Sequence, residues 1–88
     1  MPANSDAGKA LDLIHQSGFT TDANWAAAHE IAQNHEGEQV FDAIHALLHR
    51  IEGDIPNAGY WDRRAGTDFG GAGFQTELDA IRKMSKTG

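Results

Sequence analysis

The residues most able to do chemistry lie in one run, His45-Ala46-Leu47-Leu48-His49-Arg50-Ile51-Glu52. On a helix, positions i, i+4 and i+7 stack one above the other, so His45, His49 and Glu52 would share a surface. Two neutral imidazoles and a carboxylate suit zinc, iron or nickel. A zinc protease would place a glutamate directly after the first of two histidines as its base, and His45 is followed by Ala46. His29-Glu30 does carry that pair, but Gln33 stands where the second histidine belongs. The run continues as Gly53-Asp54-Ile55-Pro56-Asn57-Ala58-Gly59-Tyr60-Trp61-Asp62-Arg63-Arg64-Ala65-Gly66. It therefore reads either as a metal or catalytic site or as the polar hinge of a helical hairpin.

A helical wheel separates these ligands. At about 100° per residue the apolar stripe of Val40, Phe41, Ile44, Leu47, Leu48 and Ile51 centres near Ile44. His45 and Glu52 then fall at its border, and His49 points towards solvent. Closing a site around all three needs a second helix over that flank, and His29 or His35 could arrive on it. On the hinge reading, His45 and Glu52 are boundary residues that hydrogen-bond to each other or to nearby backbone.

The elements that must position these residues are all helical. Valine occurs once, alanine is abundant, and no alternating strand pattern appears. Five short helices are expected, packed as antiparallel hairpins in a single domain over 1–88, with 1–5 and 86–88 frayed. They run from about Asp6 to Ser17, Ala23 to Asn34, Glu38 to Glu52, Pro56 to Ala65 and Phe74 to Ser85. Ser5, Thr21 or Asp22, and Asp54 or Ile55 are the expected N-terminal caps or lead-in residues, and Gly18, Gly53 and Gly66 the stops. The glycine-rich segment 67–73 is a loop whose Phe69 should tuck into the core. Trp61 should be core, while Tyr60 can pack its ring and keep its hydroxyl wet.

The hinge residues have structural work available. Asp54 can accept from free N–H groups of the next helix, and Asn57 can bond back into the turn. Arg63 and Arg64 sit in a last helical turn, where the dipole favours cations. One is expected to pair with Glu52, Asp54 or Asp62. The other, beside Tyr60, would grip a carboxylate or another small anion.

Totals bound the rest. The chain has 88 residues, no cysteine and a net charge of −6. Residues 1–49 hold seven acids against Lys9 alone, and residues 50–88 hold six acids and six bases. Such a surface repels phosphate backbones, so nucleic acid is not an expected partner. No apolar run approaches a membrane span, and MPANSDAGKA has no secretory pattern, so a cytoplasmic location is the expectation.

The stretch from Gly53 to Gly66 resembles the second half of a Sel1-like or tetratricopeptide-type repeat, through Ala58, Tyr60-Trp61, Arg63-Arg64 and Ala65-Gly66. It is more closely similar to a group of small bacterial and fungal proteins with no assigned activity. Their pattern is H-R-[IV]-E-G-D-x-x-N-A-x-Y-W-[aromatic]-R-R-A-G. His49 to Asp54, Asn57-Ala58 and Tyr60 to Gly66 fit it, with Asp62 standing at the aromatic position. Trp25, Ala28-His29 and Glu77 to Ile81 extend the likeness. The resemblance implies that His49, Glu52, Asp54, Asn57, Tyr60 and Arg63 belong to one unit, either a site or an interlocked hairpin.

The leading expectation is a small binding domain for a protein partner, for self-association or for a small anionic ligand. Its working surface would join the third and fourth helices through His45, His49, Glu52, Asp54, Asn57, Tyr60, Arg63 and Arg64, with no cofactor. The alternative is a metal-binding protein or metal-dependent enzyme using His45, His49, Glu52 and His29, with Glu30 or Asp54 as the available base. A third reading is a structural accessory subunit without a ligand. Catalysis is the less favoured of these, and no catalytic residue is assigned.

Overall fold

The computed structural model describes residues 2–87, and the side chains of 6–86. It contains five helices in the order α1 (Pro2–Gln16), α2 (Ala23–Gln33), α3 (Gln39–Ile51), α4 (Ile55–Ala65) and α5 (Phe74–Thr87). The all-α expectation holds. Residues 2–5 and 86–87, expected to fray, are included in the bounds of α1 and α5. A proline suits a first helical turn, because its missing N–H would have no partner there. Met1 and Gly88 lie outside the described residues.

The caps explain the interior boundaries. Asp22 accepts a hydrogen bond from the Trp25 backbone N–H at 3.0 Å and starts α2. Asp54 does the same for Asn57 at 3.3 Å and starts α4, with Pro56 in its first turn. Gly53, at φ +86°, ends α3 in the left-handed region, and the Asp54 N–H reaches the His49 carbonyl at 2.9 Å. A left-handed residue here lets the chain reverse at once into α4. The Asn57 side-chain amide closes the turn onto Asp54 at 3.4 Å, as expected.

Packing follows from the exceptional burial of α3. Its residues 41–49 are buried without interruption. Such a run cannot be one amphipathic stripe, since a helix facing one neighbour buries fewer than half of its positions. α3 is instead the central post, touched by α1, α2, α4 and α5. α4 packs on α3 alone as its antiparallel partner, and α1 pairs with α2. The Gln39 side-chain amide donates to the Ala65 carbonyl at 2.8 Å and fastens the open end of the α3–α4 hairpin. The apolar core gathers Leu11 and Ile14 of α1, Ala28 and Ala32 of α2, Phe41, Ile44, Leu47 and Leu48 of α3, and Leu78 and Ile81 of α5. Phe69 is partly buried against that core.

One clasp ties α1 to the α2–α3 connection. His35 places Nε2 at 2.9 Å from Asp6 and Nδ1 at 3.0 Å from Glu38, and its ring lies 4.1 Å over Phe41. The bonds to Asp6, then to Glu38, push the imidazole above its usual value near 6.5. A raised folded-state value means that the clasp contributes fully below about pH 6.5 and fades as the pH rises through that value. In an NMR titration His35 should therefore reach its midpoint above 6.5, and Asp6→Asn should lower it. A midpoint at or below 6.5 in the unmodified chain would dismiss the clasp.

Candidate functional site

Three histidines meet between α2 and α3. One nitrogen from each of His29, His45 and His49 falls in a group whose members all lie within 4.8 Å of one another. The ring centroids stand 5.0 Å apart for His29–His45, 5.4 Å for His29–His49 and 5.7 Å for His45–His49. The His45 and His49 rings are within 5° of parallel, and His29 stands nearly perpendicular to both. Three imidazoles bound tetrahedrally to one ion through bonds of about 2.0–2.1 Å would hold their centroids roughly 5.2 Å apart. The observed triangle is already close to that spacing.

The local sequence explains how the cluster is held. His45 and His49 are one turn apart on α3. Their flank is covered by α2 on one side and α4 on the other. Trp25, on the first turn of α2, donates its indole N–H to the Leu48 carbonyl at 3.0 Å and stacks flat on His29 at 5.2 Å. Trp61 of α4 stacks on His45 at 3.9 Å, with the rings 11° from parallel. The two tryptophans of the chain therefore form walls on two of the three imidazoles. Trp61 is 8% exposed. Trp61→Ala should cost about 3 kcal/mol, as a core deletion that also uncovers His45. Chemical denaturation checks this, and a loss below about 1 kcal/mol would place the indole on a surface.

This arrangement corrects the helical wheel. His49 does not point to solvent but is 8% exposed, and His45 is not at a border but 1% exposed. The wheel gave α3 one buried face, whereas α2 and α4 bury the flank it left open. Glu52 does lie at the edge. It accepts from His49 Nδ1 at 2.6 Å, which leaves Nε2 as the ring's other donor atom. Glu52 is therefore the carboxylate behind a histidine rather than a third donor beside His45.

Burial also sets the protonation states. Desolvation, then the neighbouring His29 and His49 and the charge of Arg64, hold His45 down to about 4. Desolvation, then His49, lowers His29, against opposing pulls from Glu52 and Glu36. His45 Nδ1 is buried and has no hydrogen-bond partner among the described residues. A neutral, buried ring nitrogen without a partner is an available donor pair for a cation. The unfolded chain protonates His45 near pH 6.5 and the folded chain only near 4. Its contribution to stability is thus present above about pH 6.5 and falls as the pH drops towards 4, by roughly 3 kcal/mol in all. Denaturation midpoints across that window check this. His45→Phe should flatten the slope, and an unchanged slope would count against it.

The other sequence-singled residues separate. His49, Glu52 and Asp54 also bring donor atoms within 4.8 Å of one another. There, however, His49 Nδ1 is engaged by Glu52, and Asp54 caps α4. The expected pairing of Arg63 or Arg64 with Glu52, Asp54 or Asp62 is not observed. Asp62 is taken by Arg50, at 2.9 and 3.1 Å. Arg64 instead donates to the Tyr60 hydroxyl at 3.0 Å, lies 5.0 Å over the Trp61 ring and comes within 3.9 Å of Asp42. Arg63 and Tyr60 reach solvent. His35 is not at the cluster, since it belongs to the α1 clasp.

Sequence reasoning did not single out Arg50 or Glu77 as partners. Arg50 binds Asp62 and Glu77 with two hydrogen bonds each. A cleft of about 250 Å³ beside them is lined by Arg50, Gly71, Gly73, Phe74 and Glu77. The guanidinium there is already neutralised by two carboxylates, which leaves it little to offer an anion.

No family model, curated protein or solved structure matches this chain. Among the described residues, no helix is long and apolar enough to cross a membrane.

Proposed function

We propose that this domain binds one divalent transition-metal ion through His29, His45 and His49, with Glu52 bracing His49 from behind. The observation that carries the reading is the imidazole triangle itself, with centroids 5.0 to 5.7 Å apart before any ion is added. Three further features support it. Burial keeps His45 and His29 neutral at neutral pH, so neither has to lose a proton to bind. Glu52 on His49 Nδ1 is the outer carboxylate that fixes the tautomer and orientation of a metal-binding histidine. His45 Nδ1 is a buried polar atom without a partner among the described residues.

Three imidazole donors suit zinc, nickel or iron(II). The ion would also join α2 to α3. α2 otherwise buries only two alanines fully, Ala28 and Ala32, so a bond through His29 would add anchorage where apolar contact is thin. Binding thus moves inwards from the α3–α4 edge. The histidines of that edge go to the ion, Asp54 and Asn57 form the turn, and Tyr60 and Arg64 bond each other.

Elemental mass spectrometry of untagged protein tests the reading, beside the His45→Ala/His49→Ala double variant and His29→Ala. The expected result is about one ion per chain in the unmodified protein and none in the double variant. Copper(II) should quench fluorescence of Trp25 and Trp61, which stack on two of the ligand rings. Protein that takes up none of zinc, nickel and iron(II) would refute the reading.

A further inference from the structure

We infer that the ion at the three histidines keeps a fourth coordination position open on its α2 side, filled by an exchangeable water that small anions displace. This rests on the proposed three-histidine site. It separates an ion that can act on a ligand from one that only holds helices together, because structural zinc is closed by four protein donors.

The geometry around the cluster argues for openness. Burial is graded: His45 is 1% exposed and His49 8%, while His29 is half-buried at the rim. The floor is therefore closed and the α2 edge is not. Trp25 and Trp61 lie flat against His29 and His45 and hold those rings in place without supplying a donor.

Three of the carboxylates nearby are committed elsewhere. Glu52 is held at 2.6 Å by His49 Nδ1, Asp54 by the first turn of α4, and Asp42 by the Gly37 backbone N–H at 3.0 Å. Glu36 is exposed on the α2–α3 connection, and its charge reaches His29 through space. Among the described residues, the group around the ion therefore has three members.

Three neutral donors leave the full double positive charge on the ion. A water in the fourth position would be acidified towards neutrality, and a small anion would compete with the resulting hydroxide.

Cobalt(II) is the probe, added to the full chain, with azide and then acetate as the competing anions. Uptake of cobalt is measured first by its visible absorption band. The expected result is a band typical of four- or five-coordinate cobalt that shifts and saturates as azide is added. A band that forms and stays fixed in excess azide and acetate would overturn the open position and leave the three-histidine site standing. Glu52→Gln supplies the second arm. An azide response confined to this variant would mean that Glu52 closes the coordination sphere, and would also overturn the inference. Absence of any cobalt band would remove the site itself, which is a separate failure.

Discussion

Under the proposed three-histidine site, zinc or nickel at about 1,000 times its dissociation constant should stabilise the domain by about 4 kcal/mol, because the site exists in the folded chain and not among the scattered histidines of the unfolded one. For a domain of this size each kcal/mol moves the melting temperature by about 4–8 °C, so the shift is on the order of 20 °C. Differential scanning calorimetry with metal, and again with excess chelator, reads it directly. His49→Ala should abolish the shift, because it removes both the donor and the histidine that Glu52 braces. His35→Ala should keep it, since His35 is bonded to Asp6 and Glu38 away from the cluster. A melting curve identical with metal and with chelator would remove the ion from the account of this fold.

The helices themselves were legible in the sequence through their apolar spacing, and α2 and α4 also through their ends. Asp22, Asp54, Gly53 and Gly66 act where their chemistry suggested. The candidate site was legible only in part. His45 and His49 could be placed on one helix, and His29 could be named as the residue a second helix would bring. Their burial could not be read. A wheel assigns one inward face to a helix, and α3 has neighbours on all sides. The signal that was available is the length of the apolar and small run from Val40 to Leu48, in which Asp42 and His45 are the polar interruptions. A helix apolar over that much of its circumference is central, and a polar residue within it needs a partner. Asp42 finds its partner in the Gly37 backbone N–H, and His45 is the one left with an unpartnered nitrogen. Arg50 was not legible at all, because its partners lie 12 and 27 residues away and charge alone does not choose among six later acids.

Arg50→Met should destabilise the domain by about 3–5 kcal/mol, more than any surface substitution, because it leaves Glu77 buried without its countercharge. The Glu77 side chain is 2% exposed and that of Arg50 13%. Their four N–H···O contacts with Asp62 and Glu77 run from 2.7 to 3.1 Å and tie α3 to α4 and α5 at one point. The bonds to Glu77, then those to Asp62, push the guanidinium far above its already high value, so it stays charged throughout the accessible pH range. The penalty lies in the stranded acid rather than in the lost contacts. Arg50→Met combined with Glu77→Leu should therefore recover part of the loss, since it removes the most buried acid and leaves only the more exposed Asp62 without its countercharge. Gly70 belongs to the same unit. A Cβ there would come within 3.1 Å of Arg50 Nη1, so a side chain there would have to push the guanidinium back by a few tenths of an ångström. Urea denaturation of the single and double variants decides the matter. A single variant that loses less than about 1 kcal/mol would mean that water, not protein, already carries the charge of Glu77.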